Sequence, residues 1–353
     1  MTPSDLNRLR LHNQQIDGGR FTEAAALVSW MGGLQAQDYP HSLWAIACRV
    51  PGLTAAAVEQ AISSRSIIRT WPMRGTLHWV AAADIRWLLT LLAPRLIAAN
   101  ATRYRQLELD ARTLHNSQHV LARVLAGGNQ LTRQQLTQAF NQAGINVAGQ
   151  RLYHILQRAG LDQLICFGTR QDKEFTYTLL DEWAPAGKTL AREEALAELA
   201  RRYFHSRGPA TLADFGWWSG LAAAEARAAL EMVKPGLQAT TGTGQEYWWP
   251  AAQPEPTAAT SPGAYLLAGF EEYILGYKNR STCLDNKLSQ QVVLRTGIIH
   301  PLMVLDGQVV GTWKRRLKKD VLVVETTPLQ SLNEADRQAF AAEAGRYARF
   351  MDK

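Results

Sequence analysis

Residues 131–179 read LTRQQLTQAFNQAGINVAGQRLYHILQRAGLDQLICFGTRQDKEFTYTL, and this stretch decides the fold class. Thr132 and Gln135 have the spacing of a capping box, in which a hydroxyl and an amide satisfy each other's helix-end donors. Apolar residues at helical spacing run up to Gly144 and again up to Gly160, which predicts two helices that each end at a glycine. Two short apolar runs follow, at 164–167 and 175–179. They predict a hairpin with a polar tip, and helix, helix, hairpin is the order of a winged helix-turn-helix.

A similar order of elements recurs on both sides of this stretch. Three units are therefore predicted, at 1–83, 128–188 and 189–250. In the first unit, helices near 3–16, 22–31 and 54–63 precede strands at 67–71 and 76–80. The segment 84–127 predicts two or three linking helices. The unequal spacing indicates a tandem array rather than a strict solenoid repeat.

The composition changes after Pro250. Residues 251–263 are rich in Pro, Ala and Thr, which predicts a linker. The segment 264–353 predicts a β-rich part in which Asp306-Gly307 is a strong hairpin turn signal. Its strands are expected at 265–267, 292–294, 302–305, 309–313 and 321–324, and its closing helix at 333–351. The predicted fold class is α+β, with tandem winged helix-turn-helix units followed by a C-terminal β-rich segment.

The composition is that of a globular protein with an excess of positive charge. The chain has 353 residues and a net charge of +7, with a pI near 9.4, which favours polyanionic partners. No apolar run approaches the ~18 residues of a membrane span, and the N-terminus lacks the apolar core of a signal peptide. Cys48, Cys166 and Cys283 have no metal or redox spacing, so we expect a cytoplasmic protein without a metal site.

A pair of glutamines follows the second predicted helix. Gly32 and Gly33 end that helix, because glycine is the usual residue just past a helix end. Gln35 and Gln37 come next, and in an extended segment they point the same way because side chains alternate with a period of two. They present two neutral amides, each with a donor and an acceptor. Taken alone, such a pair is most often a structural loop cap.

Four separated motifs together resemble one family. They are GLQAQD (33–38), RTWPMRGTLH (69–78), FEEYILGY (270–277) and GTWK (311–314). In this order they resemble the AlkZ/YcaQ-like family of winged-helix DNA glycosylases, over nearly the whole chain. The resemblance implies a C-shaped array of tandem winged helices around a DNA channel, and excision of bulky N-alkylated purines, including interstrand crosslinks. It also implies that Gln35 and Gln37 are catalytic, because the family signature is a glutamine, an aliphatic residue, here the small Ala36, and then glutamine or aspartate.

The implied chemistry is suited to two amides. A purine alkylated at N7 already carries a positive charge, so its departure needs no acid. What remains is to stabilise an oxocarbenium-like sugar and to position a water, which the carbonyl dipoles of Gln35 and Gln37 can do. Asp38 could instead be the group that activates the water. In an extended segment, however, side chains alternate between two faces, which places Asp38 on the face opposite the glutamines. Carboxylate pairs do analogous work with stronger fields, so we expect little activity on undamaged DNA.

Six residues on two hairpins are predicted to bind DNA. They are Arg69, Arg74 and His78 in the first unit and Lys314, Arg315 and Arg316 in the C-terminal segment. An arginine fork fits a phosphate, and a basic run can follow a DNA backbone with salt-sensitive affinity. For Arg74 the alternative is an arginine in solvent at the turn, and for His78 it is a half-buried histidine beside Trp79. For the basic run from Lys314 it is a solvated hairpin edge protected by charge. For Glu271 and Glu272, structural hydrogen bonding is expected rather than an acidic site.

The sequence therefore predicts a monofunctional DNA glycosylase that acts on double-stranded DNA containing N7- or N3-alkylated purines. No lysine or N-terminal amine is evidently poised for Schiff-base chemistry, and no zinc pattern or phosphate-cradling loop implies a cofactor. We expect a monomer, because nothing indicates a coiled-coil seam. The main alternative is a non-enzymatic winged-helix transcriptional regulator, and a third is a structural or small-molecule-binding protein that reuses the fold.

Overall fold

The computed structural model describes residues 1–184, 187–242, 244–252, 263–318 and 321–351. The chain divides into two units, one formed by Met1–Glu59 with Leu196–Lys353 and the other by Gln60–Ala195. Both combine helices with small antiparallel strands, which makes the fold a mixed α and β one. The predicted linker at 251–263 lies, over residues 253–262, outside the described residues. No helix in the described ranges is long and apolar enough to cross a membrane.

The N-terminal segment contains four helices and one short strand. They are α1 Pro3–Asn13, α2 Ala24–Met31, β1 Leu34–Gln35, α3 Tyr39–Ala47 and α4 Ala55–Ser63. The sequence predicts α1, α2 and α4 but not α3, which begins directly after its cap residue Asp38. The glutamine pair therefore lies in a short connection between two helices.

Two strands and three helices come next along the chain. They are β2 Ile67–Met73, β3 Thr76–Ala81, α5 Ile85–Ala99, α6 Ala101–Gln106 and α7 Ala111–Leu125. Strands β2 and β3 form an antiparallel hairpin in which Met73 pairs with Thr76. Its turn is Arg74-Gly75, and both residues have positive φ angles, of 51° and 71°. The three helices occupy the predicted linking segment.

The stretch that decided the predicted fold class contains the expected elements and one strand more. They are β4 Leu131–Thr132, α8 Arg133–Gln142, α9 Arg151–Leu161, β5 Ile165–Gln171, β6 Glu174–Leu179 and the short helix α10 Leu180–Trp183. The predicted capping box of Thr132 and Gln135 is present at the start of α8. Strand β4 pairs with β6, so the hairpin becomes a three-stranded antiparallel sheet in the order β4-β6-β5. The hairpin turn, at Asp172-Lys173, is shorter than the predicted polar tip because both strands extend into it.

The prediction that Gly160 ends a helix is wrong. Helix α9 continues to Leu161, and a Cβ atom at Gly160 would lie 2.7 Å from Cε3 of Trp71. The glycine is therefore explained by the close approach of the indole ring to the helix backbone rather than by a helix end.

A third series of elements follows. It consists of α11 Arg192–Arg207, α12 Leu212–Ser219, α13 Ala223–Val233, β7 Leu237–Gly242 and β8 Gln245–Pro250, with one 3₁₀ turn at Lys234–Gly236. Between α11 and α12, Ala210 forms an isolated antiparallel bridge with Trp248 of β8. The order helix, short strand or bridge, helix, helix, hairpin thus occurs three times, starting at α2, at α7 and at α11.

The C-terminal segment is a four-stranded antiparallel sheet with three helices. Its elements are β9 Ala264–Leu267, α14 Glu272–Leu275, α15 Asn286–Val292, β10 Leu302–Leu305, β11 Gln308–Lys318, β12 Val321–Pro328 and α16 Glu334–Phe350. The strand order is β12-β11-β10-β9, and Asp306-Gly307 forms the predicted turn with φ angles of 49° and 80°. Of the strand predicted at 292–294, Val292 instead ends the helix that Asp285 caps, and Val293 forms only an isolated antiparallel bridge with Ile299.

An aromatic cluster joins the N-terminal and C-terminal segments of the first unit. The indole N–H of Trp44 in α3 donates to the carbonyl of Leu266 at 2.6 Å, and that of Trp313 in β11 donates to the carbonyl of Leu267 at 2.7 Å. Both indoles pack edge-on against Tyr347 of α16, with ring centroids 5.1 and 4.8 Å away. Helix α3 is thereby fixed to the C-terminal sheet, and with it the loop that precedes the helix.

Candidate active site

The loop that carries the glutamines, residues 32–38 (the glutamine loop), begins at a sharp turn. Helix α2 ends at Met31, and Gly32 adopts the left-handed conformation with a φ of 64°. Gly33 follows with a φ of 133°, another angle that favours glycine. A Cβ atom at Gly32 would also lie 3.4 Å from Cη2 of Trp218. Because glycine reaches these angles without steric cost, the pair lets the chain turn from α2 into β1.

The two glutamines differ in exposure. Gln35 is the last residue of β1 and is 7% exposed, and Ala36 is completely buried. Gln37 lies at a bend and is exposed. The extended segment is therefore shorter than the sequence predicts, and strict alternation does not extend to Gln37. Within the loop, Gln37 is the glutamine that solvent reaches most readily.

Asp38 is the cap of helix α3. A carboxylate oxygen accepts a hydrogen bond from the backbone N–H of His41 at 3.2 Å. This contact satisfies a helix-end donor and places negative charge at the positive end of the helix. The structure thus gives Asp38 a structural role, and its role in water activation stays a prediction.

His41 lies in the first turn of helix α3, directly after the loop, and the sequence analysis did not single it out. Its ring packs edge-on against Trp313, with the ring centroids 5.3 Å apart. Burial lowers the pKa of His41, the charge of Arg315 lowers it further, and Asp38 acts in the opposite direction. The fold therefore brings the predicted residues Asp38 and Arg315, which are far apart in sequence, close to the same imidazole.

The basic residues of β11 are divided between the two faces of the sheet. Lys314 Nζ and Arg316 Nε lie 3.3 and 3.2 Å from Oε2 of Glu325 on β12, and both cations are more than half exposed. Arg315 has a different environment, with Nη1 3.9 Å from Sδ of Met351. Strand β10 pairs with β11 only over Gln308–Thr312, so the basic run from Lys314 pairs with β12 alone, and the alternative of a hairpin edge protected by charge stays open.

Adjacent glutamates hold two buried arginines. Glu271 accepts from Arg49 Nη2 at 2.5 Å, whereas Glu272 accepts from Arg207 Nη2 at 2.6 Å and Nε at 3.0 Å. All four side chains are at most 2% exposed. The expectation of structural hydrogen bonding for the two glutamates is confirmed. The arginines were missed because their partners are 222 and 65 positions away in sequence.

Arg207 also reaches the backbone of the glutamine loop. Its Nη1 donates to the carbonyl of Met31 at 2.6 Å, and its Nη2 donates to the carbonyl of Gly33 at 3.1 Å. The indole N–H of Trp218 donates to Glu272 at 3.0 Å, and the guanidinium lies 4.4 Å from the centre of that indole. One buried cation is therefore bonded on both sides of Gly32.

The remaining three candidates lie in the second unit, on the β2–β3 hairpin. Arg74 is half-buried at the hairpin turn, and the carbonyl of the next residue, Gly75, accepts from Gln157 Nε2 of α9 at 3.0 Å. Arg69 is 3% exposed, and its guanidinium lies over the rings of two phenylalanines. They are Phe175 at 4.2 Å and Phe167 at 4.9 Å. His78 is completely buried, with Nδ1 3.0 Å from the carbonyl of Thr76.

Metal ligation and thiol chemistry have no apparent site in the part of the chain that the structure describes. No group of three or more His, Cys, Asp or Glu side chains is arranged there to hold a metal ion. All three cysteines are buried and free. Burial raises the pKa of Cys48 and of Cys283 to about 11, and it raises that of Cys166 as well. A thiolate nucleophile is therefore disfavoured at all three positions.

Comparison with known proteins identifies the class. A family model described as DNA glycosylase AlkZ-like matches residues 28–350. The chain therefore belongs to the family of AlkZ-like DNA glycosylases, which confirms the resemblance seen in the sequence.

A protein sequence and a solved structure, both from Streptomyces sahachiroi, are similar to the chain over almost its whole length. One is the interstrand DNA cross-link repair glycosylase, 26% identical over 361 residues that cover 96% of this chain and 94% of the relative. The other is the solved structure of the DNA glycosylase AlkZ, 24% identical, with a TM-score of 0.83 and coverage of 99% and 96% of the two chains. The latter shows that the fold is shared.

Proposed function

We propose that this protein hydrolyses the N-glycosidic bond of bulky N7- or N3-alkylated purines in double-stranded DNA, and that it unhooks interstrand crosslinks. Its membership of a DNA glycosylase family supports the reaction class. The name of the relative as an interstrand DNA cross-link repair glycosylase supports the crosslinked substrate.

The length of the glutamine loop is the observation that carries the proposal. In the stretch at 131–179, Thr132 ends β4 and is itself the cap of the next helix. In the third series, the bridging residue is followed directly by the cap Thr211. In the first series, Ala36 and Gln37 separate β1 from the cap Asp38. The loop is thus longer only in the series that carries the glutamines, and one of its additional residues is the exposed Gln37.

The proposed chemistry follows from the neutral amides. Water adds to the anomeric carbon as the bond from that carbon to the purine nitrogen breaks. The bonding electrons leave with the alkylated base, which departs uncharged, and the surplus proton of the water passes to solvent. The carbonyl dipoles of Gln35 and Gln37 stabilise the oxocarbenium-like sugar and position the water. A normal purine is a poorer leaving group, so two amides without an acid discriminate against undamaged DNA.

We further propose that the three series of elements are tandem winged helices lining one DNA channel, in the C-shaped arrangement that the family resemblance implies. The repeated order of elements and the short strand or bridge in each series support this assignment. The proposed domains are 1–83, 84–127, 128–188, 189–250, the linker 251–263 and 264–353.

DNA contacts are proposed for the exposed or half-buried cations Arg74, Lys314 and Arg316, which would bind phosphates. Burial makes Arg69 and His78 better suited to support the β2–β3 hairpin than to touch DNA directly. Arg315, whose charge lowers the pKa of His41, would act through that imidazole rather than on a phosphate.

The enzyme is proposed to be monofunctional, monomeric and independent of cofactors. A Schiff-base mechanism needs an amine, and residues 1–172, which include the glutamine loop, contain no lysine. Release of the base would then leave an abasic site in an uncut strand.

A duplex with two guanines joined through N7 by an alkyl bridge tests this function. The protein is expected to convert the crosslinked duplex into separable strands on a denaturing gel, and to release no base from the same duplex without the bridge. Equal affinity for both duplexes without any strand separation or base release would instead support the winged-helix regulator.

A further inference from the structure

We infer that Arg207 is a positioning residue for the glutamine loop, oriented by Glu272 and Trp218. The inference rests on the proposed function, because it assigns Arg207 a role in base excision through Gln35 and Gln37. Arg207 is completely buried, so it acts through the loop backbone and not on DNA.

The bonds of Arg207 lie where the loop has most freedom. Gly32 and Gly33 have no Cβ, so this pair could direct the following strand in many ways. Arg207 donates to the carbonyl of Met31 before the pair and to the carbonyl of Gly33 at its end. The turn is thereby bonded on both sides to one rigid planar group, which sets the direction in which Gln35 leaves the helix.

The guanidinium itself is held in place. Glu272 accepts from both Nε and Nη2, and Trp218 donates to the same carboxylate oxygen. Tyr277 donates its hydroxyl to the backbone carbonyl of Arg207 at 2.7 Å. A buried ion pair is retained at a desolvation cost, and fixing one geometry is the best-attested use of such a pair.

The same unit contains a matched control. Arg49 and Glu271 form a second buried arginine–glutamate pair, and Arg49 also donates to backbone carbonyls. Those carbonyls belong to Gln14 and Ala45, at 2.9 and 2.8 Å, and neither lies in the glutamine loop. Substitution of either arginine therefore perturbs a buried ion pair, but only Arg207 should affect the loop directly.

The experiment compares Arg207→Lys with Arg49→Lys. Lysine keeps the charge but cannot bond two carbonyls and a carboxylate in the arginine geometry. Three quantities are measured for each variant: melting temperature, affinity for a duplex containing N7-alkylguanine, and single-turnover base release with the duplex saturated. Arg207→Lys is expected to lower the release rate by about 10- to 100-fold with unchanged affinity, since a misplacement of about 1 Å can have this effect. Arg49→Lys should lose as much thermal stability and keep the release rate within about twofold.

A milder variant covers the case in which Arg207→Lys does not fold. Trp218→Phe keeps an aromatic ring but removes one hydrogen bond to Glu272, so it should also slow release while leaving affinity unchanged. Hydrogen exchange of residues 32–38 provides a readout besides activity, and it should accelerate in Arg207→Lys and Trp218→Phe but not in Arg49→Lys.

The outcomes separate this inference from the proposed function. If wild type releases base and both arginine variants lose rate in proportion to melting temperature, Arg207 has no positioning role and the glycosylase function stands. If wild type itself releases no alkylated base, the proposed function fails, and the role of Arg207 in excision fails with it.

Discussion

Asp38 accepts a hydrogen bond from the backbone N–H of His41 at 3.2 Å, so the residue next to the candidate glutamines is a helix cap. Asparagine caps a helix about as well as aspartate, whereas alanine does not cap it. A water-activating carboxylate, in contrast, cannot be replaced by a neutral amide. The two roles of Asp38 can therefore be separated by substitution.

Asp38→Asn is expected to keep both the folding stability and the rate of base release. Asp38→Ala should lower the free energy of unfolding by about 1 kcal/mol, because one helix-end donor loses its partner. Chemical denaturation and single-turnover release measure the two effects. A fully folded Asp38→Asn protein with a rate lower by about 100-fold or more would support water activation instead.

The buried imidazole of His41 predicts a pH dependence of stability. Burial lowers its pKa in the folded protein below the ordinary histidine value of 6.5, so the unfolded chain binds the proton more readily. The free energy of unfolding should therefore fall as the pH drops below about 6.5, by at most about 1.4 kcal/mol per pH unit for one group. Burial also lowers the pKa of His154 and of His205, which add to the effect.

Denaturation between pH 7.5 and pH 5 checks this dependence. His41→Asn should make the decline in unfolding free energy shallower, because it removes a buried imidazole whose pKa is lowered in the folded protein. The same decline in wild type and in His41→Asn would show that His41 is not one of its sources.

Gly160→Ala tests the contact that replaces the predicted helix end. The added methyl would lie 2.7 Å from the Trp71 ring, so we expect a loss of about 1–3 kcal/mol in unfolding free energy. Gly216→Ala is the control, because its methyl would lie 3.8 Å from Cβ of Ala226, an ordinary contact in another helix. It should be neutral or stabilising by up to about 1 kcal/mol. Equal effects of the two changes on denaturation would contradict the contact.

The exposed cations of β11 predict salt-dependent DNA affinity. Lys314→Ala and Arg316→Ala should weaken binding to any duplex and reduce the dependence of log affinity on log salt by about one phosphate contact each. Glu325→Gln should strengthen binding, because both cations lie within 3.3 Å of that carboxylate. Binding titrations from low to high salt measure these slopes. Unchanged slopes in all three variants would place the DNA elsewhere.

Local features of the fold could be predicted from the sequence. The capping box of Thr132 and Gln135 needs only residues three positions apart, and the Asp306-Gly307 turn needs only two residues that tolerate positive φ. Of the strand expected at 292–294, whose β-branched residues favour a strand, only an isolated bridge at Val293 forms, because the helix that starts after the cap Asp285 runs to Val292. Propensity over three residues did not outweigh the cap and the tertiary context.

Long-range features could not be predicted. The glutamine motif was recognisable by its resemblance to a family, but nothing near it in sequence indicates Arg207, whose partners Met31 and Gly33 are 176 and 174 positions away. Gly160 was assigned to a helix end because a glycine that accommodates a distant indole has no local pattern of its own. Periodicity and turn signals report on neighbours along the chain and not on residues that meet through packing.

The central claim is that Gln35 and Gln37 perform the chemistry. The most direct measurement is single-turnover release of N7-alkylguanine from a duplex oligonucleotide by wild type and by the Gln35→Ala/Gln37→Ala double variant, with DNA affinity measured for both. We predict release by wild type alone, with equal affinity for the two proteins. Release by the double variant at the wild-type rate would contradict the claim and place the chemistry on other residues.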